Sequence, residues 1–139
     1  MPMYECITVA GTLDADQRTR IADAVTATHV EVTGAPFELV HVVFPELSPG
    51  HAYTGGDPST PAMIRGSIRA GRSEEVRHTL MQRIYDSYLE ITGADPMRLL
   101  VAVVDFPPSW AMEGGVILPE TTPEAEAEWV AKVRQTASA

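Results

Sequence analysis

The amino-acid sequence predicts an α+β fold: two tandem β-α-β units forming a four-stranded sheet with two helices on one face, plus a short C-terminal helix. A strand–helix–strand pattern occurs twice, over residues of about 2–45 and 62–106, and a tail follows over 119–139. The two copies also share sequence, since Thr33-Gly34-Ala35-Pro36 corresponds to Thr92-Gly93-Ala94-Asp95-Pro96. Parallel strands need a crossover helix, so we expect two β-α-β units within a single domain over 1–139.

The first unit opens with an apolar strand over residues 3–10 and continues with a helix over 14–32. Asp14, with Gln17 three residues later, has the spacing of a helix N-cap and capping box. Buried-type residues then recur at helical spacing, at Ile21, Val25, Thr28 and Val32. Gly34 suits the left-handed position that ends many helices, so the helix is expected to stop there.

Three segments between and after the units are assigned from composition. Residues 37–44 are rich in valine and aromatic side chains, which predicts a second strand. Residues 45–61 contain four prolines and three glycines, which predicts a loop without regular structure. Residues 107–119 are also expected to be irregular. Thr122-Pro123-Glu124 then predicts the start of the C-terminal helix, which continues through Trp129 and Val133.

The second unit repeats the first, with strands expected over 63–70 and 99–104. Ser73 is placed to cap its helix. The buried stripe of that helix is predicted at Leu80, Ile84, Tyr88 and Ile91. Two helices on one face of the sheet would leave the other face bare, so the pattern predicts an oligomer that covers it.

Composition and charge exclude several classes of function. The net charge of −9 argues against nucleic acid or an anionic membrane as a partner, because both need a basic surface. The single cysteine, Cys6, cannot form an internal disulfide and lies in an apolar strand. The four histidines lack ligand spacing, so no metal site is predicted. With no signal peptide or long apolar span in the sequence, we expect a soluble, cytoplasmic protein.

The start of the chain carries the first candidate for catalysis. The small residue after Met1 favours removal of that methionine, which would leave Pro2 with a free secondary amine. An α-amino group titrates near ~7.7–8, so burial or a nearby charge can make it a proton donor or acceptor at neutral pH. The alternative interpretation is that Met-Pro is simply a common start.

A pair of arginines marks a candidate anion site. Arg69 and Arg72 lie three residues apart where a strand turns into a helix, and the first backbone N–H groups of that helix are free as well, so the turn suits an anion. No glycine-rich phosphate loop accompanies the pair, so a carboxylate fits better than a polyphosphate. The alternative is two surface arginines that offset Glu74 and Glu75.

Two further candidates are weaker taken alone. His29 lies at the margin of the apolar stripe of the first helix, where it is either a satisfied core residue or part of a site. Glu113 is followed by two glycines that permit close approach, although most loop glutamates are only solvated. Trp110 and Trp129 either pack in the core or close a pocket.

Together these residues resemble the tautomerase superfamily, and the doubled β-α-β chain resembles its cis-3-chloroacrylic acid dehalogenase branch. The residues that carry the resemblance are Pro2, His29 late in the first helix, the turn Arg69-Ala70-Gly71-Arg72-Ser73, and Met112-Glu113 followed by Gly115. It covers nearly the whole chain, from Met1-Pro2 through Leu118-Pro119.

The resemblance implies a role for each site residue. Pro2 would transfer protons, and Arg69 and Arg72 would bind a substrate carboxylate. His29 would help to hold substrate or water, and Glu113 would position or activate water. The family also implies no cofactor, a small carboxylate substrate and a homotrimer with sites near the subunit boundaries.

One position departs from the pattern of the dehalogenases. Where they carry a tyrosine that assists water activation, this sequence has Ala102. A tautomerase or hydratase with weak dehalogenase side activity is therefore expected rather than an efficient dehalogenase.

Two other functions remain open from the sequence. The first is a non-catalytic, oligomeric carboxylate-binding or sensor module, which would keep Arg69 and Arg72 but have no use for a free Pro2. The second is a degenerate subunit that completes a hetero-oligomer and forms no homotrimer when alone.

Overall fold

The computed structural model describes residues 2–138, and its regular elements follow the two expected units. The helices are α1 (Ala15–Thr33), α2 (Glu74–Thr92) and α3 (Pro123–Ala137). The strands are β1 (Met3–Val9), β2 (His41–Val43), β3 (Glu46–Leu47), β4 (Tyr53–Thr54), β5 (Asp57–Pro58), β6 (Ala62–Arg69), β7 (Leu99–Phe106), β8 (Met112–Glu113) and β9 (Val116–Ile117).

The main sheet has the strand order β2-β1-β6-β7. Each β-α-β unit contributes a parallel pair, β1 with β2 and β6 with β7. The units meet at the centre through antiparallel pairing of β1 with β6, in which Met3 lies opposite Ser67. The predicted α+β class and tandem units are confirmed.

The core lies between the sheet and one layer formed by α1 and α2. Tyr4 and Ile64 from the sheet pack in one buried cluster with Val25 of α1 and Ile84 of α2. Cys6 belongs to this cluster, and burial raises the pKa of its thiol to about 12, which keeps it protonated and inert. The opposite sheet face is bare, as the pattern predicts, with Leu100 still 52 % exposed.

The internal repeat extends to the hydrogen bonds that end the two long helices. Gly34 and Gly93 both adopt the left-handed conformation at the C-terminal cap. In the residue before each glycine, the threonine hydroxyl donates to the carbonyl four residues earlier: Thr33 to His29 at 2.7 Å and Thr92 to Tyr88 at 2.8 Å. The same local sequence therefore builds the same helix end twice.

The strand predicted over residues 37–44 is wrong over its first half. Phe37–Leu39 form a turn of 3₁₀-helix, and only His41–Val43 pair with β1. Pro36 is extended and starts the 3₁₀ turn, which brings the chain from the end of α1 to the edge of the sheet. Valine and phenylalanine content gives strand propensity, but it does not show where the partner strand is within reach.

Two segments expected to be irregular contain short strands. Within residues 45–61, β3 pairs in parallel with the end of β1, and β4 pairs with β5. Within 107–119, β8 pairs with β9 after a 3₁₀ turn at Pro108–Trp110. Both hairpins turn on a glycine pair with positive φ, Gly55-Gly56 and Gly114-Gly115, which is a strong hairpin signal in the sequence.

The C-terminal helix forms where it was predicted and runs to Ala137, beyond Val133. The two tryptophans differ in burial: Trp129, within this helix, is buried, whereas Trp110 is 80 % exposed in the single chain and packs in no core there. No helix within residues 2–138 is both long enough and apolar enough to cross a bilayer.

The contact between Gly66 and Tyr4 yields a stability prediction. A Cβ at Gly66 would lie 2.4 Å from the ring carbon Cε1 of Tyr4, which is fully buried and cannot swing away. We expect Gly66→Ala to lower the free energy of unfolding by about 1–3 kcal/mol, the usual scale for overpacking. Urea denaturation at a fixed protein concentration measures it. Ser67→Ala on the same strand is the control, and equal stability of the two variants would contradict the packing described.

Candidate active site

The sheet topology collects the candidate residues at one end. β1 and β2 begin at this end, while β6 and β7 finish there, because the central pairing is antiparallel. We call it the Pro2 end of the sheet. The last turns of α1, the β6–α2 turn and the β8–β9 hairpin adjoin it, which brings in His29, Arg72 and Glu113.

Pro2 is buried immediately before β1, and its side chain is fully enclosed. Its carbonyl oxygen accepts a hydrogen bond from the backbone N–H of His41, the first residue of β2, at 3.1 Å. This hydrogen bond fixes the backbone of Pro2 at the end of the sheet, between β1 and β2. Its nitrogen is an amide as long as Met1 is attached and becomes an amine only when Met1 is removed.

Arg69 and Arg72 converge on a single carboxylate. Arg69 Nη2 donates to Glu126 Oε1 of α3, and Arg72 Nη2 donates to the same oxygen at 2.8 Å. The other guanidinium nitrogens reach backbone carbonyls, from Arg69 Nη1 to Pro119 at 2.8 Å and from Arg72 Nη1 to Thr33 at 3.5 Å. The pair thus forms a fixed fork that binds a carboxylate with charge-assisted hydrogen bonds.

Arg69 is unusually enclosed for a cation, with 4 % of its surface exposed. Burial lowers its pKa, and the Glu126 carboxylate opposes that shift. Trp129 contributes a cation–π contact, since Arg69 Cζ lies 5.0 Å from the centre of the indole ring. The interpretation of Arg69 as a surface charge that offsets Glu74 and Glu75 does not fit this environment.

His29 is a buried, neutral histidine. Its Nδ1 shares a hydrogen bond of 2.9 Å with Tyr4 Oη. Burial lowers the pKa of His29 to about 3, and the positive charges of Arg72 and Arg69 add to the shift. Among the described contacts it makes no hydrogen bond to either arginine. At neutral pH it can orient a ligand through hydrogen bonding, but it offers no positive charge to one.

Glu113 lies on the β8–β9 hairpin and contacts His41, with Oε1 at 2.7 Å from His41 Nε2. Burial alone would raise the pKa of Glu113, but hydrogen bonding, including that to His41, outweighs it and holds the pKa below its usual range. The side chain is therefore an ionised carboxylate at neutral pH. Because His41 also binds the Pro2 carbonyl, the Glu113 carboxylate is anchored beside Pro2.

A cavity of about 180 Å³ opens beside Glu113. Its lining is apolar apart from that carboxylate and one hydroxyl, and consists of Leu39, Glu113, Gly114, Val116, Val133 and Thr136. One wall belongs to the β8–β9 hairpin and another to α3. A small unsaturated or apolar group would fit there, next to the one acidic side chain.

Ala102 is remote from this site within one chain. It lies on the bare face of the sheet, opposite Arg65 on β6. Arg69 lies four positions after Arg65 along β6, which is about 13 Å at the usual rise of a strand. A side chain at position 102 would therefore not reach the Arg69 end of its own sheet.

Sequence reasoning alone does not select three residues of this end, Tyr4, His41 and Glu126. Each acquires its contact through tertiary structure, at separations of 25 to 72 residues along the chain. Glu126 is one of several glutamates in α3, and helical spacing alone cannot show which of them meets the arginines. Within residues 2–138, no cluster of three or more His, Cys, Asp or Glu side chains is arranged to hold a metal ion.

A family model described as "Putative oxalocrotonate tautomerase enzyme" matches residues 1–134. The chain belongs to this tautomerase family. The match extends from the Pro2 strand through most of α3, so the resemblance inferred from the sequence is confirmed at the level of the superfamily. No curated protein sequence matches the chain.

Solved structures agree with the family assignment. The crystal structure of native Ps01740 is 53 % identical, covers 80 % of this chain and 99 % of that chain, and has a TM-score of 0.79. N1, a member of the cis-3-chloroacrylic acid dehalogenase family, is 26 % identical over 99 % of both chains with a TM-score of 0.87. The Q0 fused 4-OT symmetric trimer, at 19 % identity, covers 84 % of this chain and 94 % of its own, with a TM-score of 0.75, and shows the same fold.

The burial of His29 predicts a pH dependence of stability. The unfolded chain takes up a proton near pH 6.5, whereas folded His29 does so only near 3, so its contribution is complete above pH 6.5 and is lost as the pH falls. We expect the free energy of unfolding to fall between pH 6.5 and 5 with a slope that approaches about 1.4 kcal/mol per pH unit from this group.

Denaturant unfolding across this pH range tests the assignment. His29→Gln can still hydrogen-bond Tyr4 but cannot titrate, so it should remove this part of the slope. His51→Gln, at an exposed histidine, is the control and should retain it. Identical slopes in the wild type and His29→Gln would show that His29 does not titrate in this way.

Proposed function

We propose that the protein is an enzyme that uses the Pro2 amine as an acid or base on small unsaturated or enol carboxylates. The reactions are keto–enol tautomerisation and hydration, with weak cis-3-haloacrylate dehalogenation as a side activity. The observation that carries the proposal is the arrangement at the Pro2 end: a cationic fork at Arg69 and Arg72, and an ionised Glu113 anchored beside Pro2.

The arginine fork fixes the substrate. A planar guanidinium pair binds a carboxylate with directed hydrogen bonds, and the fork already holds the carboxylate of Glu126. A substrate held there by its carboxylate would be limited to a narrow range of positions. This lowers the entropic cost of bringing its reacting atoms up to the Pro2 amine. His29, neutral and oriented by Tyr4, would add a hydrogen bond to substrate or water.

The Pro2 amine would move the proton in tautomerisation. Once Met1 is removed, a neutral amine can take the proton from an enol hydroxyl or an α-carbon, and the resulting ammonium can return it to the other end of the conjugated system. An α-amino group ordinarily titrates near ~7.7–8, so both the neutral amine and the ammonium are accessible to Pro2 near neutral pH. No net proton is gained or lost by the enzyme in one cycle.

Hydration would use Glu113 in addition. The carboxylate takes a proton from water as the oxygen adds to the β-carbon, and cationic Pro2 gives a proton to the α-carbon. With a 3-haloacrylate, the adduct carries halogen and hydroxyl on the same carbon and collapses to an aldehyde with loss of halide and a proton. The tyrosine associated with efficient dehalogenation is absent at Ala102, which is why this activity is proposed as weak.

A homotrimer is the proposed assembly. A solved structural neighbour, the Q0 fused 4-OT protein, is a symmetric trimer. In this chain the sheet face away from the helices exposes Met63, Leu100 and Val104, each by more than a third. Burial of that apolar surface between copies would supply the driving force for association.

The alternative is a non-catalytic, oligomeric carboxylate-binding or sensor module. One observation favours this alternative. Arg69 and Arg72 hold a carboxylate whether or not Pro2 is a free amine, so binding of a carboxylate does not require catalysis. Intact-mass measurement separates the two functions, because retention of Met1 leaves no amine at Pro2 and supports the sensor.

Replacement of Pro2 tests the proton-transfer step. Pro2→Ala should lower tautomerase turnover of an enol carboxylate such as phenylenolpyruvate by ~10²-fold or more, the scale for losing a positioned acid–base group. A spectrophotometric assay on protein shown by mass to lack Met1 measures it. Activity that is unchanged in Pro2→Ala, or full in protein that retains Met1, would reject the mechanism.

Replacement of Glu113 separates the two chemistries. Keto–enol exchange needs a proton shuttle and a held carboxylate, whereas hydration also needs a group that orients or deprotonates water. Glu113→Gln should therefore reduce hydration or dehalogenation at least ~10-fold more than tautomerisation. The ratio of the two activities is the measurement. A fall by the same factor in both would mean that Glu113 maintains the site rather than activating water.

A further inference from the structure

The helix α3 covers the candidate site with one of its faces. Glu126, Trp129, Val133 and Thr136 follow one another at intervals of three and four residues, which places them on the same side of a helix. Glu126 contacts the arginine fork, and Val133 and Thr136 line the cavity beside Glu113. Val133 lies seven positions after Glu126, about 10 Å along the helix axis, so α3 connects the arginine fork with the cavity beside Glu113.

Few interactions anchor this helix. Trp129 is its one buried side chain among those described, whereas α1 and α2 bury five and three residues. The indole Nε1 of Trp129 is buried without a hydrogen-bond partner among residues 2–138. A buried donor without a hydrogen-bond partner destabilises the closed position of the helix, and exposure of that donor to water would remove the cost. The ion pairs of Glu126 with Arg69 and Arg72 are thus a large part of what keeps α3 in place.

We propose that α3 is a displaceable lid whose Glu126 carboxylate occupies the substrate carboxylate position on Arg69 and Arg72. An incoming carboxylate takes over the hydrogen bonds from both guanidinium groups, Glu126 moves out to solvent, and Trp129 leaves the face of Arg69. The exchange replaces one carboxylate by another, so the buried charge of the fork stays compensated. This inference rests on the proposed role of the arginines as the carboxylate site.

The mechanism predicts selection by charge. A neutral ligand offers no negative charge to take the place of Glu126 on Arg69 and Arg72, so it should not shift the lid towards the open state. The lid also lowers the apparent affinity of every carboxylate by the fraction of molecules that are open. Glu126 therefore holds the lid closed through its contacts with Arg69 and Arg72, and it also determines which ligands can open the lid.

Trp129 reports the opening directly. The sequence has two tryptophans, so Trp110→Phe, at an exposed position, leaves Trp129 as the single tryptophan, which is excited selectively at the red edge of the absorption band. Propanoate is an unreactive carboxylate probe, and propanamide is its neutral counterpart of similar shape. In titrations at constant ionic strength, propanoate should shift Trp129 emission to longer wavelength, whereas propanamide should leave it unchanged. Propanoate binding, detected by calorimetry, without a change in Trp129 emission would overturn the lid.

Substitution of Glu126 tests whether its carboxylate competes with propanoate for Arg69 and Arg72. Glu126→Gln should bind propanoate about ten times more tightly than the parent, which corresponds to an open fraction of about 0.1 in the parent. Glu124→Gln is the matched control, since it removes the same charge from an exposed position in the first turn of α3 and should leave the affinity within about twofold. Unchanged or weaker binding in Glu126→Gln would overturn the proposal. If this variant fails to fold, the Trp129 titration decides.

Arg72→Lys separates this proposal from the proposed function. Loss of the planar fork should weaken propanoate binding at least ~10-fold. If Arg72→Lys weakens binding but Glu126→Gln does not tighten it, the arginine site stands and the lid is rejected. If Arg72→Lys binds like the parent, the carboxylate site lies elsewhere, and both the arginine assignment and the lid are rejected.

Discussion

The antiparallel pairing of β1 with β6 is the constraint on which the site depends. The two strands of each β-α-β unit are parallel to one another. The relative direction of β1 and β6 therefore decides which strand ends lie at the same end of the sheet. Antiparallel pairing places the start of β1 beside the end of β6, and hence Pro2 beside the Arg69 turn. Had the units joined in parallel, the same residues would lie at opposite ends of the sheet.

The enclosed positive charge at this end explains the state of its neighbours. Two guanidinium groups, one of them almost fully buried, need a nearby anion, and Glu126 supplies it. The same charges, together with burial, keep His29 neutral. Glu113 stays ionised because hydrogen bonding compensates its burial. The Pro2 end of the sheet thus combines two arginines that hold a carboxylate, a neutral histidine and the ionised carboxylate of Glu113.

The hairpins show where sequence information was present and which kind was missing. Gly114-Gly115 is a sequence pattern typical of a hairpin turn, and it predicts the β8–β9 hairpin that carries Glu113. It does not predict that Glu113 contacts His41, because His41 lies in β2, more than seventy residues away in sequence. The first half of the 37–44 segment shows the converse. Its strand propensity was real, yet residues Phe37–Leu39 have no partner strand in reach and form a 3₁₀ turn instead.

The sequence by itself determined the tandem β-α-β units, the caps of the two long helices and the α+β class. These follow from local periodicity, capping residues and short motifs, which act over a few residues. Only the tertiary structure decided that Tyr4 meets His29, that His41 meets Glu113, and that Glu126 rather than another glutamate of α3 occupies the arginine fork. The reason is physical: these contacts join distant segments, and their partners are chosen by strand register and by the rotation of α3 about its axis, neither of which is encoded in any short stretch of sequence.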